Sequence, residues 1–151
     1  MGASSITWKT RSLQRMGFNW MKIYEPPPYR QPINMLWRLE VDARDGDALA
    51  AYADHLRGQV RQYDNFVEAY EIGNEVNLRA NGWAKPPDAA QYVRLLCRAY
   101  HEIKLINPNA IVVSAGLAPA GLSPYPTAPS LMRVSLSIVQ RLIHGRRNGR
   151  L

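Results

Sequence analysis

The chain has 151 residues, 46% of them hydrophobic, and a formal net charge of +7. That length and apolar content suit one domain with its own core, and no apolar run reaches the ~20 residues of a membrane span. The single cysteine, Cys97, excludes an internal disulfide framework. The charge is unevenly spread: residues 124–151 hold five Arg and no acid, while residues 1–123 hold the other 14 basic residues and all 12 acids. The body is therefore nearly neutral, which argues against nucleic acid as its partner and suits an uncharged ligand.

In chain order, the opening stretch MGASSITWKTRSLQRMGF has no apolar centre of signal-peptide type, so a cytoplasmic location is the default expectation. It has room for one helix around Trp8, Leu13 and Met16. A first strand is predicted over 17–25, with Phe18, Trp20, Ile23 and Tyr24 as its apolar residues. The following EPPPYRQP blocks a helix, because proline fixes φ and has no N–H. A second strand is predicted over 33–43, where Leu36, Trp37, Leu39 and Val41 form a dense run. A helix is predicted over 45–63 from the spacing of Leu49, Tyr52, Ala53, Leu56 and Val60. A third strand is predicted over 65–73. A second helix follows over 86–108, with Tyr92, Leu95, Leu96, Ala99, Ile103 and Ile106 at helical steps. Pro87 and Asp88 mark its start, and Asn107-Pro108 its end. A fourth strand, AIVVSAG, lies at 110–116. Strands so densely apolar suit a parallel sheet covered on both faces, and the β-α-β-α-β order implies right-handed crossovers.

The pattern stops after Ala115. Residues 116–130 hold four of the 11 prolines, and 131–151 read as a basic amphipathic segment with Leu131, Val134, Ile138 and Leu142 on one side. The expected division is a domain over 1–123 and a linker and basic tail over 124–151. The tail is open to two readings: the product of a shifted frame or an anchor for an anionic surface.

The third strand ends abruptly in Gly73, Asn74 and Glu75. Functional groups of parallel α/β folds gather at the C-terminal ends of strands, where a carboxylate can act as general acid and an amide can hold a sugar hydroxyl. From spacing alone, a turn-capping Asn and a solvated Glu are the plainer account of the pair. Glu25, Glu40 and Asp42 also lie near strand ends. Glu40 and Asp42 share a face with Arg38 at period two, which suits either a sugar subsite or an ion pair with Arg38. Trp37 reads as core. Trp83, in the polar loop beyond the pair, is the better candidate to stack on a sugar ring. His55, His101 and His144 lack ligand spacing, and no glycine pattern of nucleotide-binding type occurs, so no metal or cofactor is expected.

The segment YEIGNEVNL (70–78), with the helix and strand after it, resembles the fourth-strand motif of clan A glycoside hydrolases, Glu-(Ile/Val)-Trp/Gly-Asn-Glu-Pro-Asn. The segments GFNWMKIYE and LWRLEVDA are similar to the two preceding strands of cellulase-like and β-xylosidase-like members. The resemblance covers about residues 17 to 120. It implies an eight-stranded (β/α) barrel that hydrolyses O-glycosidic bonds with retention, using one glutamate after strand four and another after strand seven. Glu75 matches the acid/base, Asn74 matches the residue that binds the sugar 2-hydroxyl, and Asn77, on the last position of the motif, is expected to bind substrate as well. Val76 replaces the usual Pro, and Gly73 stands where Trp is often found. A complete barrel takes ~250 residues. The expectation is therefore a truncated, partial (β/α)8 barrel of about four parallel strands, strands two to five, with no nucleophile and no activity alone. Open sheet edges in such a piece invite self-association. The alternatives are a non-catalytic carbohydrate-binding protein and a basic-tailed interaction protein.

Overall fold

The computed structural model describes residues 9–40, 47–78 and 88–118. Three helices and four strands alternate: α1 (Thr10–Arg15), β1 (Trp20–Ile23), β2 (Asn34–Leu39), α2 (Asp47–Tyr63), β3 (Ala69–Ile72), α3 (Ala89–Ile106) and β4 (Ile111–Ser114). The strands form one parallel sheet in the order β1-β2-β3-β4, so each newly added strand pairs with its predecessor. Crossovers that always advance in one direction put their helices on one side of the sheet. The class is α/β, with the sheet-and-helix arrangement of a partial TIM-type barrel.

The core lies between the sheet and the helices α2 and α3. From β2 come Met35, Trp37 and Leu39, and from β3 Tyr70 and Ile72; against them pack Tyr52, Leu56 and Val60 of α2 and Tyr92, Leu95, Ala99 and Ile103 of α3. These are the apolar positions whose helical spacing predicts the two helices. Trp37 is core, as its place within a strand suggests, with its indole N–H donating to the Tyr24 carbonyl. The helices are also tied to one another. Buried Glu102 of α3 accepts from Arg57 of α2 at 2.6 Å and from Arg98 of α3 at 2.8 Å.

Two expectations are corrected. The cover on both faces holds for β3 and not for the edge strands: all four β3 residues are buried, whereas Trp20 of β1 is 43% exposed and Ile111 of β4 is 49% exposed. Of the apolar residues expected to bury the first strand, only Ile23 does so; Phe18, Trp20 and Tyr24 lie at the surface. An apolar run reports that a strand prefers burial and not which neighbour supplies it. The paired strands are also shorter than the runs, because regular hydrogen bonding persists only where a parallel partner lies alongside.

Candidate functional site

β3 is an interior strand, hydrogen-bonded to β2 on one side and β4 on the other. Its C-terminal end carries Gly73, Asn74 and Glu75 onto the rim of the sheet. Gly73 turns the chain with φ of +81°, a conformation open to glycine because it has no Cβ. Its N–H still donates to the Leu39 carbonyl at 2.9 Å, which keeps the turn against the end of β2. Glu75 takes a left-handed φ of +44°, uncommon for a residue with a side chain. Both Asn74 and Glu75 are half-buried.

Several hydrogen bonds pin this loop to the segment after β4. The Glu75 N–H donates to the Gly116 carbonyl at 2.9 Å. The Asn77 amide donates through Nδ2 to the Ala118 carbonyl at 3.0 Å and accepts from the Ala118 N–H through Oδ1 at 2.9 Å. One level below, the Tyr92 hydroxyl donates to the Ile72 carbonyl at 3.0 Å and accepts from the Ala115 N–H at 2.6 Å. Burial, opposed by the bond from Ala115 and reinforced by the nearby Glu71 carboxylate, pushes the Tyr92 hydroxyl up to about 12. It therefore stays protonated and holds the ends of β3 and β4 together.

Beneath the rim, Glu71 is buried within β3. Its carboxylate contacts Lys22 Nζ of β1 at 2.5 Å and accepts from the Gly116 N–H at 3.2 Å. Arg38 of β2, in register with Glu71, pairs with Glu40 and lies over the Tyr24 ring at 4.4 Å from its centroid. The upper sheet face is thus polar, with a carboxylate held by two flanking backbone and lysine groups.

Of the residues singled out in the sequence, Asn74 and Glu75 stand together at the strand end, on the same rim as exposed Glu25 and Glu40. Glu40 is largely exposed and forms the ion pair with Arg38 that its spacing allows. Asn77 is fully buried and its amide binds Ala118 backbone, the geometry of a loop clamp. Asp42, Trp83 and the tail from 119 onward lie outside the described residues. Glu71, Lys22 and Tyr92 were not anticipated as part of this region. A carboxylate in the middle of an otherwise apolar strand was the available signal for Glu71, since a buried charge requires a partner.

These features define a chain with the parallel α/β fold of a partial TIM-type barrel and an Asn-Glu pair at its C-terminal rim. No protein-family model matches the chain, and no curated protein does. Among solved structures, it is similar to a β-glucuronidase of Parabacteroides merdae, crystallised with glycerol in its active site. The TM-score is 0.50 and the identity 11%, over 85% of this chain. The chain spans 19% of that enzyme's length. At this identity the likeness concerns the fold.

Proposed function

We propose that this chain is part of a retaining glycoside hydrolase barrel, corresponding to strands two to five, with Glu75 as acid/base and Asn74 as a contact to a sugar hydroxyl. The observation that carries the reading is the position of the pair. It follows an interior parallel strand directly, at the end where such barrels gather their chemistry, on a backbone pinned at an unfavourable φ. In a retaining reaction a second carboxylate attacks the anomeric carbon as the C–O bond breaks. Glu75 protonates the departing oxygen, then takes a proton from the water that hydrolyses the glycosyl intermediate. Glu40 and Asp42 would line the neighbouring subsite, Trp83 would stack on a sugar ring, and Asn77 would hold the loop. The mechanism needs no cofactor.

A second reading, binding without turnover, draws on the acids that follow Glu75. Asp88 caps α3 and Glu102 is buried between α2 and α3. Neither is placed to act as nucleophile, and residues 124–151 contain no acid. The expected result is saccharide binding that weakens in Glu75→Gln and Asn74→Ala, with negligible hydrolysis of aryl β-glycosides. Titration of a β-linked oligosaccharide panel by calorimetry, beside a chromogenic glycoside assay, makes the test. No saccharide binding by any panel member would overturn the reading. Robust turnover dependent on Glu75 would overturn the expected inactivity and direct attention to Glu25 or Glu40.

A further inference from the structure

Glu71 lies within an interior strand at 4% exposure, and a carboxylate so placed needs partners. It has them from two distant parts of the chain. Lys22 belongs to β1, on the far side of β2, yet its Nζ lies 2.5 Å from Glu71 Oε2. Lys22 is in register with Leu36, and Leu36 with Ala69. Glu71, two residues beyond Ala69, is therefore on the same face one row higher, and the lysine crosses β2 to reach it. The other oxygen, Oε1, accepts from the Gly116 N–H at 3.2 Å, just past the end of β4.

Gly116 is shared between Glu71 and the rim. Its N–H donates to Glu71, and its carbonyl accepts from the Glu75 N–H at 2.9 Å. The Glu71 side chain thus holds the residue that holds the Glu75 backbone. A left-handed φ such as the +44° of Glu75 persists only where the surroundings over-determine it. Gly73 ties the start of the turn to the Leu39 carbonyl, and Asn77 ties its end to Ala118. The Gly116 carbonyl acts on Glu75 itself, between those anchors. A buried ion pair is a poor device for stability alone, since apolar side chains of similar volume often serve as well. An apolar side chain cannot accept from the Gly116 N–H. A charged acceptor makes such a bond about twice as strong as a neutral one, and the lysine fixes which way the carboxylate turns.

We infer that Glu71 is a positioning residue for Glu75, acting through Gly116, with Lys22 fixing the direction of its carboxylate. The inference rests on the reading of Glu75 as acid/base, and it gives Glu71 no contact with substrate.

Amide NMR of the full 17.1 kDa chain tests this without turnover. The two carboxylate oxygens serve Lys22 and Gly116 separately. In Glu71→Gln a single acceptor oxygen remains for both, and the ammonium has the stronger claim on it. The Gly116 amide proton should move upfield, and exchange at the Gly116 and Glu75 amides should quicken roughly 10-fold. The Gly73 amide, bonded to Leu39, and the amides in the middle of β3 and β4 should hold their rates. A merely structural role would quicken them all alike. Adding Lys22→Met to Glu71→Gln frees the oxygen for Gly116 and should restore slow exchange. Glu71→Asp keeps the charge for Lys22 but draws the oxygen away from Gly116; it should give the same local change, and it serves if Glu71→Gln does not fold. Affinity for the β-linked oligosaccharide panel should fall and return in step with the Glu75 amide. An unmoved Gly116 resonance, or exchange at Glu75 no quicker than at Gly73, overturns the positioning role whatever the saccharides do. The amide changes without saccharide binding by the wild type overturn the glycosidase reading and uphold the anchoring of Glu75 by Glu71.

Discussion

Asn77 illustrates how one side chain fixes a loop. Its amide has a donor and an acceptor side by side, which match the carbonyl and N–H of Ala118. The residue is fully buried, so water does not compete for those groups. Asn77→Ala leaves both Ala118 groups without their partner and should cost about 2–4 kcal/mol. Urea melts of the two proteins measure this directly. Tyr92 does the same one level below, and Tyr92→Phe should cost about 2 kcal/mol for the same reason. Destabilisation below ~0.5 kcal/mol in both variants would show that the two loops are held by other contacts. The Asn-Glu pair could be read in the sequence because polar residues break an apolar strand at its end. The clamp could not, because Asn77 finds its partner 41 positions away. Sequence spacing reports local periodicity and is blind to which distant backbone a side chain meets.

At the scale of elements, α3 shows why the helices were legible. Its start is fixed by Asp88, whose carboxylate accepts from the Ala90 and Gln91 N–H groups that have no partner within the helix. Asp88→Ala should cost about 1 kcal/mol, seen as a lower melting temperature with little change in helix content. The buried face of α2 repeats at helical steps, and Leu56 at its centre is fully buried. Leu56→Ala should cost about 2–5 kcal/mol, readable by the same melts. A smaller loss would mean that α2 packs less closely on β2 than the core places it. Helix boundaries and buried stripes depend on neighbours within a few residues, so the sequence carries them. Exposure on the edge strands depends on what lies alongside them. Trp20 and Ile111 have the composition of core residues, and no periodicity distinguishes a strand face that is covered from one that is not.

For the whole molecule, the core between the sheet and its two long helices buries three tyrosine hydroxyls, of which that of Tyr92 bonds the ends of β3 and β4. Tyr52 lies on α2, Tyr70 on β3 and Tyr92 on α3, all in the buried core. Burial raises the hydroxyl of each above the ordinary tyrosine value. For Tyr52, the Tyr92 hydroxyl adds to the effect, and for Tyr70 the Asp64 and Glu68 carboxylates do. The unfolded chain releases these protons from the ordinary value of 10.0, while the folded chain keeps them to higher pH. A raised folded value means that the stabilising contribution is complete only below the ordinary value of 10.0. It falls as pH rises through the folded values, because the unfolded state then binds fewer protons. For Tyr92 the loss runs from 10.0 to about 12. The chain should therefore hold its melting temperature up to the ordinary tyrosine range and lose it steeply above, with tyrosinate absorbance appearing together with the loss of helix signal. Tyr92→Phe starts from a lower stability and should show a shallower alkaline slope, since one of the three linked protons is gone. A slope unchanged by that substitution, or tyrosinate absorbance that appears fully while the helices persist, would contradict the linkage of these hydroxyls to the fold.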